Sequence, residues 1–155
     1  MLKYLETQVT FSEVPDEVTL CINITNCPYK CEGCHSPQLR EDIGKILDEE
    51  AIESLIAYNP GITCISFMGG DLEPLEINKL CAFVHSKGLK TCWYSGNNVL
   101  NSSIELKNLN YIKIGPYIKS LGGLDSVITN QKFYEVRLLQ LIGYKLFDIT
   151  YKFKK

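Results

Sequence analysis

Four short apolar runs punctuate the chain, and between them the hydrophobic pattern changes period. Residues 18–25 (VTLCINIT), 62–68 (ITCISFM), 90–94 (KTCWY) and 111–114 (YIKI) are rich in β-branched and aromatic side chains, as buried strands are. Residues 47–58 instead place Leu47, Ala51, Ile52, Leu55 and Ile56 at helical spacing, and Asn59-Pro60-Gly61 stops the pattern. Residues 75–87 repeat it through Leu80, Phe83 and Val84. Strands alternating with helices at this spacing predict an α/β fold built from parallel βαβ units. Residues 95–110 are polar with room for a short helix, 115–123 form a loop and 133–136 a further strand. Residues 136–155 carry no clear period and form a tail of unassigned structure.

A chain of 155 residues suits one compact domain, 1–155, and no repeat or linker divides it. A net charge of −2 gives no general attraction for nucleic acid or an acidic membrane, so neither is an expected partner. No segment approaches the length of a membrane span. The first residues, MLKYLETQVTFSEV, alternate in polarity and include acids, unlike a secretory signal. Seven cysteines, an odd number, then indicate a reducing, cytoplasmic setting in which a disulfide framework is not expected. Cys21, Cys64, Cys81 and Cys92 are scattered and are expected as small buried apolar residues.

The other three are concentrated. Residues 26–35 read NCPYKCEGCH, with Cys27, Cys31 and Cys34 in a CxxxCxxC spacing on a loop that leaves the first apolar run. Such spacing lets one loop wrap a 4Fe–4S cluster and present three thiolates to three irons, leaving the fourth iron open to chelate a substrate by amino and carboxylate groups. Gly33 allows a tight turn beside the metal. The competing reading is a zinc site of Cys27, Cys31, Cys34 and His35 that stabilises a non-catalytic interaction module. Structural zinc usually takes two separated ligand pairs, and adjacent Cys34 and His35 reach one tetrahedral ion poorly. His35 is therefore expected as a neighbour of the cluster or its ligand.

The second motif is Ser66-Phe67-Met68-Gly69-Gly70-Asp71, where an apolar run ends in two glycines and a carboxylate. Chemistry in parallel sheets and barrels collects at the carboxyl ends of strands, and both motifs fall there. Glycines at such a place let backbone carbonyls and amides approach a ligand closely, and the carbonyls can accept hydrogen bonds from its ammonium group. Asp71 either adds charge to that site or caps the next helix. Trp93 and Tyr94 either line a pocket or belong to the core.

The cysteine loop followed by the Gly-Gly-acid motif resembles the radical SAM superfamily. The Cys-x-Gly-Cys-His form, Gly69-Gly70-Asp71, Trp93-Tyr94-Ser95-Gly96, Gly115-Pro116-Tyr117-Ile118 and residues 121–134 (LGGLDSVITNQKFY) are similar to the activating proteins of anaerobic ribonucleotide reductases. The resemblance covers most of residues 1–136. It implies a shortened, partial β/α barrel of parallel strands with an open rim. It also implies a glycyl-radical enzyme activase that takes one electron from a small donor protein such as flavodoxin and cleaves S-adenosylmethionine to a 5′-deoxyadenosyl radical. The implied partner is the glycyl-radical subunit of anaerobic ribonucleoside-triphosphate reductase. By position, Cys27, Cys31 and Cys34 match the catalytic cluster ligands, and Gly33, Cys34, His35 and Gly70 match places near bound S-adenosylmethionine, with Gly69 and Asp71 completing that contact region. Many radical SAM enzymes carry an aromatic residue before the third cysteine; here Gly33 stands there and His35 offers the nearest ring. A radical enzyme acting on a small molecule is the alternative within the same chemistry, and the short chain with an open rim argues against it.

Overall fold

Alternating side chains along four parallel strands divide this protein into two differently covered faces. The structure is a computed structural model and describes residues 1–29, 31–34 and 36–154. The parallel strands are β2 (Thr19–Ile24), β4 (Cys64–Met68), β5 (Lys90–Tyr94) and β6 (Tyr111–Ile114), neighbours in that order. On one face Leu20, Ile22, Ile24, Ile65, Phe67, Trp93 and Ile112 pack beneath two helices, α1 (Glu49–Tyr58) and α2 (Pro74–Ser86). The helices contribute Ile52 and, from α2, Ile77, Leu80, Cys81 and Val84. On the other face Cys64, Cys92, Tyr111 and Phe133 gather with Val14 and Ile149 in a second, smaller core.

The helices form where local chemistry starts and stops them. The Asp48 carboxylate accepts a hydrogen bond from the Ala51 amide at 2.9 Å, capping α1, and Glu49 and Glu50 favour its positive end. Leu47, expected as the first helical residue, lies before the cap and joins Ile52 in the core, as a hydrophobic staple does. Pro74 opens α2 at a position where its missing amide costs nothing.

Antiparallel strands extend the sheet at both edges, giving the order β3-β1-β2-β4-β5-β6-β7-β8. The sheet is open, not a closed barrel. Strand β1 (Lys3–Thr10) pairs with β2 and with the two-residue β3 (Lys45–Ile46). At the far edge β7 (Lys132–Leu139) and β8 (Gly143–Asp148) form a hairpin, and Thr150–Phe153 closes the chain as a 3-10 turn. The expected strand at 133–136 lies within β7. The short helix allowed for in 95–110 is a single 3-10 turn, Leu106–Asn108. None of the described helices is long and apolar enough to cross a membrane.

Glu17, just before β2, closes the amino-terminal end of the second face. Its carboxylate accepts hydrogen bonds from Thr63 Oγ1 (2.8 Å), Lys90 Nζ (2.9 Å) and Tyr111 Oη (2.7 Å), joining the starts of four parallel strands. Burial pushes its pKa up, but the bonds from Tyr111, Lys90 and Thr63 outweigh burial and hold it below the ordinary carboxylate value. A group with a depressed folded pKa stabilises above its unfolded pKa and loses that contribution as pH falls through its folded value. The urea midpoint of the wild type is therefore expected to drop below about pH 4.3. Glu17→Gln should cost about 1.5–3 kcal/mol at pH 7, the value of hydrogen bonds to a charged group, and should flatten that acid dependence. A variant that keeps the wild-type acid slope would show that Glu17 does not carry it.

Candidate metal centre

The cysteine loop leaves β2 through Asn26, whose φ of 62° suits a residue that tolerates left-handed backbone. Backbone bonds then pin the loop against the following turn: Asn26 N donates to Glu41 O and Cys27 N to Leu39 O, both at 2.9 Å. Cys34 N donates to Cys31 O at 3.2 Å, and the Arg40 guanidinium donates to the same carbonyl at 3.0 Å. Gly33 turns the chain with φ of 75°; a methyl there would sit 3.4 Å from the Lys119 side chain and 3.5 Å from the Tyr117 ring. Segment 117–119 thus lies against the cysteine loop. Cys27, Cys31 and Cys34 are all partly exposed free thiols, whereas Cys21, Cys64, Cys81 and Cys92 are buried. Burial pushes the Cys21 thiol up to about 11, and raises Cys64, Cys81 and Cys92 further. These four are inert core residues, as expected.

Tyr29, between the first two cysteines, docks the loop onto the end of β5. A methyl added at Gly96 would lie 2.6 Å from the Tyr29 ring, so the ring occupies the space a side chain would need. Gly96 N donates to Asp71 Oδ2 at 3.2 Å, and the Ser95 hydroxyl donates to Asp71 Oδ1. Asp71 therefore faces the strand ends and not α2, whose N-cap is Glu73 without a side-chain bond; the capping alternative does not hold. Burial raises the Asp71 pKa, opposed by Ser95, Gly96 and Lys113. Cys27 is likewise raised, first by burial and then by the charges of Asp71, Cys31 and Cys34, so the two motifs share one electrostatic neighbourhood.

The glycine pair is held from the core side. Trp93 is 1% exposed, and its indole Nε1 donates to the Gly69 carbonyl at 2.7 Å. Gly69 N donates to Tyr94 O at 3.0 Å, and the Gly70 carbonyl accepts from Glu73 N at 3.0 Å. Gly70, with φ of 89°, passes so close to Ile77 that a methyl would lie 2.7 Å from its Cδ1. Trp93 and Tyr94 have separate roles: Trp93 is core, while Tyr94 walls a cavity on the opposite face, its hydroxyl donating to the Glu13 carbonyl.

That cavity, of roughly 1230 Å³, runs from Cys34 and Met68 past Tyr94 and Lys113 toward Phe153. Lys113 was not anticipated from the sequence as a site residue. Its Nζ donates to Gly115 O at 2.9 Å and Ser95 O at 3.3 Å, and lies 5.6 Å from the Tyr94 ring centroid. Burial lowers its pKa, against the pull of Asp71 and the cysteines. One charge in the apolar run YIKI, facing away from the helices, was the available signal. His35 lies outside the described residues.

Residues 17–121 match the family model described as a 4Fe-4S single cluster domain, more than half of the chain. The chain belongs to this 4Fe–4S single cluster domain family. No curated protein and no solved structure matches it. Membership makes this an iron–sulfur protein, and the zinc module is set aside. Among the described residues, no three histidine, cysteine or acidic side chains close around a point that could hold a single ion. The donor set fits a cluster chemically, because three free, part-exposed thiols on one pinned loop are soft ligands of the kind iron–sulfur clusters take.

Proposed function

We propose that this 4Fe–4S domain is a radical SAM enzyme that activates a glycyl-radical partner, with Cys27, Cys31 and Cys34 as cluster ligands. The observation that carries the reading is the junction of the cysteine loop with the Gly-Gly-Asp turn through Tyr29, Gly96 and Asp71. Cys27, Cys31 and Cys34 would hold the cluster by three thiolates, and the chemistry it would supply when bound and reduced is the one electron that breaks the sulfonium bond of S-adenosylmethionine. The chain's own residues would hold the cosubstrate. Gly69 lies against Ile24, the end of the strand from which the loop departs, Gly33 and Cys34 would border the cosubstrate, and Asp71 adds a half-buried acceptor. The parallel strands with one helix-covered face and one cavity face support classing the domain as an opened, shortened β/α barrel. A cavity beyond the usual ~300–1,000 Å³ of small-ligand sites, open at its rim, suits a protein substrate. Anaerobic ribonucleoside-triphosphate reductase is the proposed partner, a flavodoxin-like protein the electron donor, and a reducing cytoplasm the setting that seven free cysteines favour.

The test is direct. Anaerobically reconstituted protein given dithionite and S-adenosylmethionine is expected to release 5′-deoxyadenosine and methionine, measured by chromatography. Adding the reductase should yield a glycyl-radical signal by electron paramagnetic resonance. A fully loaded cluster that releases no 5′-deoxyadenosine would refute the assignment, and release without a radical on the reductase would refute only the partner.

A further inference from the structure

We propose that Lys113 sets the reduction potential of the cluster by placing a fixed, buried positive charge beside the cysteine loop. The inference rests on the cluster being held by Cys27, Cys31 and Cys34, and concerns a residue that neither motif contains.

Lys113 is unusual for a lysine, being 9% exposed. Strand pairing fixes its backbone between Tyr94 of β5 and Phe133 of β7. Its Nζ is fixed as well, donating to the carbonyls of Ser95, just past β5, and Gly115, just past its own strand β6. Both carbonyls would lose a charged donor if the ammonium were absent. The side chain lines the same cavity wall as Cys34 and lies over the Tyr94 ring. Ser95 stands between it and Asp71, accepting from Lys113 through its carbonyl and donating to Asp71 through its hydroxyl. Cys27 and Cys31 are among the charges that act on Lys113.

Arg40 and Lys119, which meet the loop, are exposed, where water and salt screen them, and Lys152 and Lys154, which line the same cavity, are not buried either. Among the described residues Lys113 is the one basic side chain in the buried set. A charge held in a low-dielectric wall acts on its neighbours far more strongly than one in water. Three thiolates outweigh the positive core of an oxidised cluster, so the site is already anionic before reduction. Reduction adds one electron from a low-potential one-electron donor, which is oxidised by one electron; no bond breaks and no proton is required. The added negative charge is stabilised by Lys113 and opposed by Asp71. Lys113 therefore raises the potential, and Asp71 lowers it.

The experiment is a mediated dithionite titration of the reconstituted full chain, followed by the electron paramagnetic resonance signal of the reduced cluster. Lys113→Met is expected to weaken the reduction equilibrium at least tenfold, a fall in midpoint of about 59 mV or more for one electron. Lys113→Arg, which keeps the charge, should restore most of it. Asp71→Asn should move the midpoint the opposite way, upward. A structural disturbance would not give opposite signs in the two variants. Lys113→Met with full iron and an unchanged midpoint overturns the proposal. Should that variant fail to hold iron, Asp71→Asn decides, and an unchanged or lowered midpoint overturns it. A wild-type chain that takes up no iron would overturn the cluster assignment itself.

Discussion

Alanine at Cys27, Cys31 or Cys34 is expected to cut bound iron from about four per chain to a small fraction of that, measured by metal analysis after anaerobic reconstitution. Each variant removes one of three thiolates, and a cluster held by two has lost a third of its protein anchorage. The effect should be specific to this loop. Cys21, Cys64, Cys81 and Cys92 are buried among apolar side chains with their thiols pushed up by burial, so alanine at any of them should leave iron content unchanged. The fold should survive the loop variants, because the cysteine loop bonds to residues 39–41 through backbone groups that alanine retains. Circular dichroism with a wild-type urea midpoint would confirm that iron, and not structure, was lost. Full iron in all three variants would disprove the ligand assignment.

How much of this was legible in the sequence follows from which face each residue meets. The four parallel strands are buried on both sides, so they appear as continuous apolar runs and were found at nearly their true limits. The start of helix α1 was placed two residues early because Leu47, though in phase, precedes the Asp48 cap, while its end at Tyr58 was legible. Strands β1 and β8 were missed for the opposite reason. They lie toward the sheet edges, and their exposed faces carry Leu5, Val9, Tyr144 and Leu146, so polarity does not mark the buried side. Leu138, Leu141 and Ile142 at the hairpin are exposed as well, which erases any period in 137–142.

The site divides similarly. Ligand spacing is a local property, and the cysteine loop could be recognised because all three thiols fall within eight residues. The partners of Asp71 could not be, since Ser95 and Gly96 are supplied by another strand, 24 and 25 positions away. Tyr29 meets Gly96 for the same reason: only the β4–β5 register brings Met68 beside Tyr94 and so aligns the two strand ends. Lys113 carried a visible signal, a lone charge in an apolar strand, but its meaning depended on β6 facing the cavity with that residue.

Trp93→Ala is expected to destabilise the protein by about 3–5 kcal/mol, the cost of emptying a well-packed aromatic site. Against a total stability of roughly 5–15 kcal/mol, that is a large share, and the urea midpoint at pH 7 should fall accordingly. Trp93 is among the largest fully buried side chains and sits on the helix-covered face, where Phe67 and Ile112 pair with it across the sheet. It also carries a second function that size alone does not measure, since its indole holds the Gly69 carbonyl at 2.7 Å. Trp93→Phe separates the two. Phenylalanine refills much of the volume but donates nothing, leaving the carbonyl beside the glycine pair without its partner, at a cost of about 1–3 kcal/mol. If the Gly-Gly-Asp turn positions S-adenosylmethionine, Trp93→Phe should weaken cosubstrate binding in equilibrium dialysis while iron content stays at the wild-type level. Unchanged binding in a stable, iron-loaded Trp93→Phe protein would mean that the core holds the fold but not the geometry of the turn.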